Sequence, residues 1–181
     1  MGRVRIVGGL HRSRVLQFKD NVDGLRPTPD RVRETLFNWL GQDLTGKICL
    51  DLFAGSGALG FEALSRNALS AIMLEQDKAV VKDLLNNKKL LKLSNLEIIC
   101  ENGLSYLKKQ DKHIDILFLD PPYDSDLLNE SLQLIYSQKE SFKNTLVYIE
   151  YRKTPDLTNY SILKQAKAGV VKSALIQLAH N

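Results

Sequence analysis

One apolar run of this sequence ends in an acidic residue, two prolines and a tyrosine. The four residues are Asp120, Pro121, Pro122 and Tyr123, and the segment before them, 113–119, has the composition of a buried strand. A residue before a proline is held in an extended conformation, so the second proline restricts the direction of the Pro121 carbonyl. The corner therefore offers two acceptors, the Asp120 carboxylate and that carbonyl, beside an aromatic face on which a base can stack.

The chemistry that suits such a corner is substitution at the exocyclic amino group of a nucleic-acid base. The lone pair of this nitrogen is delocalised into the ring, which makes it a weak nucleophile. Two acceptors that bind its two N–H bonds orient the nitrogen and favour localisation of the lone pair. Asp120 does not have to be a strong base, because the nitrogen becomes acidic once it is alkylated and cationic. The alternative interpretation is an ordinary loop that ends a strand.

Three glycines follow an earlier apolar run, in the segment LDLFAGSGALGFEAL. Gly55, Gly57 and Gly60 form a G-x-G-x-x-G pattern between a predicted strand and a predicted helix. Glycine permits a tight turn there and a close approach of a ligand to the backbone. Dinucleotide-binding domains and S-adenosylmethionine-dependent methyltransferases share this pattern, and a turn without a ligand is a third interpretation.

Asp51 favours the methyl donor over a dinucleotide. A pyrophosphate on the glycine-rich turn would lie near this carboxylate, and the repulsion would oppose the attraction of the helix N-terminus. S-adenosylmethionine carries a sulfonium and an α-ammonium group instead, which an acidic neighbour stabilises. Glu75, at the end of the next predicted strand, can accept from both ribose hydroxyls of either ligand, unless it is simply an exposed strand-end carboxylate.

S-adenosylmethionine is therefore the predicted cofactor, with S-adenosylhomocysteine as the product and no metal. Asn102 and neighbouring backbone groups, in the segment CENGLS, are candidates for the amino edge of the adenine. The residues expected to contact the cofactor are Asp51, Phe53, Ala54, Gly55, Ser56, Gly57, Glu75, Asn102 and Asp120.

The elements that must position these residues alternate along the chain. From about residue 48 onward, apolar runs alternate with amphipathic segments, which is typical of βα units in a parallel sheet. The predicted strands cover 48–53, 70–75, 96–101, 113–120 and 145–151, and the predicted helices cover 58–67, 77–92, 103–110 and 126–138. The last two apolar segments, joined across Lys167 to Gly169, predict an antiparallel hairpin at the sheet edge. The predicted fold class is α/β.

Residues 1–45 predict a small extension ahead of a catalytic domain that spans 46–181. The segments RVRIVGG and RVLQF flank two glycines and a basic loop, which indicates a β-hairpin. A helix follows in the segment RPTPDRVRETLFNWLGQ. Thr28 is its predicted N-cap, with Pro29 at the first helical position.

Other residues of this segment also fit a helix. Asp30 complements the helix dipole, and Gly41 suits the position after the C-cap. Arg31 and Arg33 lie away from the apolar stripe, where they could meet a ligand or solvent. For Arg33 we expect a side chain that is exposed to solvent.

Basic residues are concentrated at the start of the chain. The formal net charge is only +4, yet the first nineteen residues contain five Lys or Arg and no Asp or Glu. Such a cluster suits a polyanion such as nucleic acid, although ordinary solvated surfaces also carry clusters of this size. The residues expected to bind RNA are Arg3, Arg5, Arg12, Arg14, Arg26 and Arg31.

Several classes of protein do not fit this composition. Cys49 and Cys100 lie in apolar runs and are expected to be core residues rather than a disulfide or metal site. The three histidines are scattered, which argues against a zinc site. No segment approaches the roughly 18 apolar residues of a membrane helix, and no signal-peptide pattern is present. The expected location is the cytoplasm.

Taken together, the segments DLFAGSGALGFEALSR and DPPY resemble those of class I S-adenosylmethionine-dependent methyltransferases that act on an exocyclic amino group. The N-terminal segments RIVGG, HRSR and RPTPDRVRETLFNWL resemble the RsmD family of bacterial 16S rRNA guanine-N2 methyltransferases. This resemblance implies a Rossmann-like, seven-stranded, mostly parallel sheet with an N-terminal extension. It also implies that the partner is the small ribosomal subunit or its assembly precursor. We expect a monomer with no membrane partner.

Three alternatives remain open from the residues themselves. An NAD-dependent oxidoreductase would share the glycine-rich turn and Glu75 but would have no use for the corner at 120–123. A catalytically inactive RNA-binding protein would keep the fold and the basic residues. An adenine-N6 methyltransferase of nucleic acids would share the corner, but such enzymes usually carry a separate recognition region, for which this chain has little room.

Overall fold

The apolar runs of the central region form one seven-stranded sheet. The computed structural model of the protein describes residues 2–19 and 27–179. In that part of the chain the strands are β1 (Gly2–Arg5), β2 (Val15–Phe18), β3 (Ile48–Asp51), β4 (Ser70–Glu75), β5 (Leu96–Cys100), β6 (Ile116–Leu119), β7 (Leu146–Tyr151), β8 (Tyr160–Ala168) and β9 (Val171–Leu178). The helices are α1 (Asp30–Trp39), α2 (Ala58–Ser65), α3 (Lys78–Leu90), α4 (Gly103–Lys109), α5 (Leu127–Ser137) and α6 (Lys139–Phe142).

The strand order places the two predicted motifs next to each other. The order in the large sheet is β5-β4-β3-β6-β7-β9-β8, and β1 and β2 form a separate antiparallel pair. β3 is parallel to both β4 and β6, whereas β9 runs antiparallel to β7 and β8. The chain reverses its direction of progress across the sheet between β3 and β6, which is where ligands bind in open α/β sheets. The predicted α/β class and the antiparallel C-terminal hairpin are confirmed.

Two apolar cores cover the two faces of the sheet. Cys49 and Met73 face one core, together with α2 and α3, while Leu50 and Leu74 face the other, with α4 and α5. Successive strand residues point to opposite faces, so strands buried on both sides read as continuous apolar runs. β3 and β6 are shorter than predicted, because residues 52–54 already belong to the turn that follows β3 and β6 begins only at Ile116.

The N-terminal hairpin packs into the first of these cores. Val4 and Leu16 are buried in the same cluster as Leu36 of α1 and Ala63 of α2. The carboxylate of Glu62 accepts hydrogen bonds from the backbone N–H groups of residues 7 and 8, at 2.9 and 2.8 Å. These contacts attach the loop of the hairpin directly to α2.

The expectation that Arg33 meets solvent is wrong. Its side chain is fully buried, and its Nη1 lies 3.2 Å from Oε2 of Glu62, which is also fully buried. Arg33 also donates from Nη2 to the Arg5 carbonyl at 2.8 Å and from Nε to the Thr28 carbonyl at 3.1 Å. The polar side of α1 is buried because α2 supplies a counter-charge there, a feature that helical periodicity does not reveal.

Two smaller expectations also need correction. α1 begins at Asp30 with Pro29 before it, and Thr28 makes no side-chain cap to this helix. Cys100, at the end of β5, is exposed, whereas Cys49 is buried as expected. The short helix α6 was not predicted, and it buries Phe142. Among the described residues, none of the helices has the length and apolar character needed to span a membrane.

Candidate active site

Four acidic side chains come from adjacent strands near the carboxyl edge of the sheet. Asp51 and Glu75 are the last residues of β3 and β4, Asp120 follows β6, and Glu150 lies near the end of β7. These strands are neighbours in the sheet, and their parallel direction brings their carboxyl ends together. The pKa of Asp120 is raised chiefly by burial and further by the negative charges of Glu150 and Asp51, as expected for carboxyl groups at neighbouring strand ends.

The glycine-rich turn that connects β3 to α2 has glycine at its two positions of positive φ. Gly55 and Gly57 have φ values of 51° and 77°, which L side chains rarely adopt. A Cβ on Gly57 would also lie 2.6 Å from the Phe61 ring and 2.7 Å from Leu84. The third glycine of the pattern, Gly60, has a packing role, since a Cβ there would lie 2.4 Å from the methyl group of Met73.

Glu75 is held against this turn. Its Oε2 accepts from the Gly55 N–H at 3.1 Å, and its Oε1 accepts from the Asp77 N–H at 2.9 Å. The carboxylate is partly exposed, so its remaining lone pairs face outward beside the turn. This placement agrees with the predicted contact to ribose hydroxyls, which stays a prediction.

Asp51 is almost fully buried, with 2% of its surface exposed. The pKa of this carboxyl group is raised to about 7, chiefly by burial and to a smaller extent by the negative charge of Glu75, while hydrogen bonds from the Gly60 and Phe53 backbone N–H groups oppose the rise. A nearby cation would favour the ionised form of this carboxyl group. The position therefore suits a positively charged ligand group.

The other predicted cofactor residues surround the turn. Phe53 is half-buried, while Ala54 and Ser56 are buried. Asn102 is the N-cap of α4, where its Oδ1 accepts from the Ser105 N–H at 3.1 Å and its Nδ2 donates to Gln76 at 3.3 Å. Its side-chain amide is thus already engaged, and the predicted contact to adenine stays a prediction.

Asp120 is reached by a residue of the N-terminal extension. The hydroxyl of Thr28 donates to Oδ2 of Asp120 at 3.3 Å, so the residue predicted as a helix cap instead contacts the acidic corner. Burial raises the pKa of Asp120 well above its usual range, and the charges of Glu150 and Asp51 raise it further, while the Thr28 hydroxyl opposes this.

The two prolines of the corner have different surroundings. Pro121 is buried and Pro122 is exposed. The Pro122 carbonyl accepts from the backbone N–H of Ser125 at 3.2 Å and from its hydroxyl at 2.6 Å. Within residues 2–19 and 27–179, no hydrogen bond to the Pro121 carbonyl is found. The predicted contact of this carbonyl to a substrate amino group stays a prediction.

Tyr123 is fixed by two residues that the sequence did not single out. Its hydroxyl donates to Oε2 of Glu150 at 3.1 Å, and the guanidinium of Arg152 lies 4.7 Å from the centre of its ring. Glu150 is the only acidic residue of the apolar segment TLVYIEY, and that isolated charge was the signal available in the sequence. The pKa of Tyr123 is raised by burial and by its acidic neighbours.

The predicted RNA-binding arginines are spread over the extension. Arg3 and Arg5 lie on β1, Arg12 and Arg14 in the hairpin loop, and Arg31 on α1, and all five are exposed. Arg5 also pairs with Asp30 at 2.9 Å. Arg26 lies outside the described residues. The RNA-binding role of these arginines stays a prediction.

No metal site accompanies these groups in the part of the chain that the structure describes, where no cluster of three or more His, Cys, Asp or Glu residues could hold an ion.

Comparison with known proteins gives matches along almost the entire chain. The model of the family described as "Conserved hypothetical protein 95" matches residues 4–177. Ribosomal RNA small subunit methyltransferase D from Haemophilus influenzae is 43% identical over 97% of this chain and 94% of its own length. The protein of the same name from Escherichia coli strain K12 is 42% identical over 97% of this chain and 90% of its own length.

A solved structure agrees with these sequence matches. The Escherichia coli protein yhhF superimposes with a TM-score of 0.82 at 40% identity, over 99% of this chain and 100% of that one. The shared length includes both the sheet and the N-terminal extension.

Proposed function

This chain belongs to the ribosomal RNA small subunit methyltransferase D family, and we propose that it methylates the exocyclic N2 amino group of a guanine in 16S rRNA, with S-adenosylmethionine as the methyl donor. Membership makes the protein an rRNA methyltransferase with a class I methyltransferase sheet. The target atom, the cofactor contacts and the roles of individual residues are the proposal.

The observation that supports the proposal most directly is the adjacency of the two motifs. β3 and β6 are paired in register, with Asp51 opposite Phe118, so the glycine-rich turn and the corner at 120–123 leave the sheet side by side. The electrostatic effect of Asp51 on Asp120 is a second sign of this proximity. A methyl donor on the turn and a base at the corner would then share one crevice.

The residues around the turn fit S-adenosylmethionine. Asp51 is a buried acid that would stabilise the α-ammonium or sulfonium charge, and Glu75 has lone pairs available for ribose hydroxyls. The positive φ values of Gly55 and Gly57 give the tight turn on which the proposed ligand would lie. When bound, this cofactor supplies an electrophilic methyl group on a sulfonium sulfur.

The corner at 120–123 would prepare the guanine amino group for attack. The Asp120 carboxylate and the Pro121 carbonyl each accept one N–H bond of the amino group, which orients its lone pair toward the methyl group. Tyr123 stacks on the base and keeps it in the crevice, a contact worth on the order of 1–3 kcal/mol. After transfer, the cationic nitrogen loses its proton to Asp120 or to water. Neither a covalent enzyme intermediate nor a metal is required.

The exposed arginines of the extension would hold the rRNA by its phosphates. Arg3, Arg5, Arg12, Arg14, Arg26 and Arg31 form this proposed RNA-binding set, of which Arg26 lies outside the described residues. The proposed partner is the small ribosomal subunit or its assembly precursor, in the cytoplasm.

Small ribosomal subunits from cells that lack this gene provide the direct test. The purified protein is incubated with these subunits and S-adenosylmethionine labelled in the methyl group, and the rRNA is digested to nucleosides and analysed by mass spectrometry. We expect label in N2-methylguanosine. Label in N6-methyladenosine would support the adenine alternative, and absence of label in rRNA would contradict the proposed function.

A further inference from the structure

Glu150 is a buried carboxylate that the proposed chemistry does not use. Only 3% of its surface is exposed. Within the described ranges, no Lys or Arg forms an ion pair with it. A buried charge without a cationic partner is costly unless hydrogen bonds compensate for the lost water. The presence of Glu150 at this buried position is therefore not explained by a gain in the stability of the fold.

The hydrogen bonds of Glu150 all come from the neighbourhood of the active site. Oε1 accepts from the Tyr148 hydroxyl at 2.8 Å, and Oε2 accepts from the Tyr123 hydroxyl at 3.1 Å. Burial raises the pKa of Glu150, and the nearby hydroxyls of Tyr148, Tyr123 and Thr28 oppose the rise, although the Thr28 hydroxyl makes its hydrogen bond to Asp120. A carboxylate can accept from both tyrosine hydroxyls at once, whereas an amide of the same shape has a single acceptor oxygen.

Arg152 contacts the ring of Tyr123. Its guanidinium lies 4.7 Å from the centre of the Tyr123 ring, at cation–π distance. Tyr148 and Glu150 are alternate residues of β7 and share one side of the sheet, and Arg152 follows directly after Tyr151, the last residue of this strand. The end of β7 and the residue after it therefore contact both the hydroxyl and a face of Tyr123.

We propose that Glu150 is a positioning residue that fixes the ring of Tyr123, with Arg152 covering one face so that only the opposite face is open to the target base. The inference rests on the proposed function, because it assigns the open face to the guanine that is to be methylated. Holding the ring in advance lowers the entropy lost when the base stacks. Glu150 acts through Tyr123 and does not touch the substrate.

The kinetic test is a double-mutant cycle between Glu150→Gln and Tyr123→Phe, with small ribosomal subunits lacking the modification as substrate. Each single variant should lower kcat/KM for the subunits by roughly tenfold, the effect of losing one hydrogen bond to a charged group. KM for S-adenosylmethionine should stay within about twofold of the wild type. Because both changes remove the same contact, the double variant should be no slower than Tyr123→Phe alone.

Tyr148→Phe is the matched control. It removes a hydrogen bond to the same carboxylate but leaves the Tyr123 contact in place, so its kcat/KM should stay close to the wild-type value. If Glu150→Gln slows the Tyr123→Phe enzyme as much as it slows the wild type, the positioning role is overturned. If Glu150→Gln does not fold, Tyr123→Phe decides alone, and an unchanged kcat/KM in that variant overturns the proposal.

A readout without substrate separates this inference from the proposed function. NMR of protein with ¹³C-labelled tyrosine rings identifies Tyr123 by the signal that Tyr123→Phe lacks. We expect a higher ring order parameter for Tyr123 in the wild type than in Glu150→Gln, because the hydroxyl hydrogen bond restrains the swing of the whole ring about the Cα–Cβ bond. Equal order parameters would overturn the positioning role, whereas a restrained ring in a protein that does not methylate guanine would contradict only the proposed function.

Discussion

Two groups of buried carboxylates in this protein differ in how their charge is balanced. Glu62 lies between Arg33 and Arg66, at 3.2 and 3.0 Å, and also accepts two backbone hydrogen bonds from the N-terminal hairpin. Asp51, Asp120 and Glu150, by contrast, have hydroxyl and backbone donors around them, and none of them forms an ion pair within the described residues.

This difference in charge balance distinguishes carboxylates that stabilise the fold, such as Glu62, from carboxylates of the candidate active site. Carboxylates that raise one another's pKa are costly to the folded state, and such perturbed groups are concentrated at functional sites. The paired cluster at Glu62 joins the extension to the sheet and leaves little charge for a ligand. In the acidic group around Asp120 the raised pKa values show that the chain itself does not stabilise the charged forms, so a cationic methyl donor would favour their ionisation.

Disruption of the paired cluster should have the largest effect on stability. Arg33→Met leaves Glu62 without one of its partners in a buried position, and we expect a loss of about 3–5 kcal/mol in the free energy of unfolding. Urea unfolding followed by circular dichroism measures it. Arg31→Met, at an exposed position of the same helix, should change this value by less than about 0.5 kcal/mol. Equal effects of the two changes would show that the ion pair has no special role.

Removal of Asp120 should instead affect the reaction. Asp120→Ala should lower the rate of methyl transfer at saturating substrate on the order of a thousandfold, while S-adenosylhomocysteine binds with nearly unchanged affinity. Single-turnover assays and calorimetry measure the two quantities. Asp124→Ala, at an exposed position of the same loop, is the matched control and should stay active. A rate near normal in Asp120→Ala would remove Asp120 from the mechanism.

The raised pKa of Asp51 predicts opposite pH dependences for stability and for ligand binding. Its pKa is about 7 in the folded protein against a reference of 3.8, so unfolding releases a proton between these values and stability falls as pH rises through this window. A ligand cation favours the ionised form, so the affinity for S-adenosylhomocysteine should rise between about pH 5.5 and 7.5.

Thermal unfolding and calorimetry across this range measure the two trends. Asp51→Asn should reduce the pH dependence of both stability and ligand affinity, because an amide does not titrate. Unaltered pH profiles in this variant would assign the titration to another group.

The smallest effect is expected at the exposed arginines of the hairpin loop. Arg12→Glu combined with Arg14→Glu should weaken rRNA binding and reduce its salt dependence by about one unit of slope per lost phosphate contact. Filter binding at several salt concentrations measures this. Lys78→Glu with Lys82→Glu, on the exposed side of α3, is the charge-matched control. A slope equal to that of the wild type would exclude the loop from the RNA interface.

Local patterns predicted much of the fold and the position of the site. The helices after β3, β4, β5 and β6 begin and end close to their predicted bounds, and α3 has the apolar stripe of helical period expected of an amphipathic helix. The two motifs were recognisable because glycines and prolines restrict the backbone wherever they occur. The paired positions of Arg33 and Glu62 could not be predicted, since periodicity says nothing about a counter-charge 29 residues away.

By itself, then, the sequence determined the alternation of strands and helices, the glycine-rich turn and the acidic corner, because these depend on residues close together in the chain. The tertiary structure alone decided that Thr28 contacts Asp120 and that Glu150 holds Tyr123. Those partners are 92 and 27 residues apart, and only the packing of the extension and the order of strands in the sheet bring them within hydrogen-bonding distance. Contacts of this range depend on the whole fold, and no local pattern of residue types encodes them.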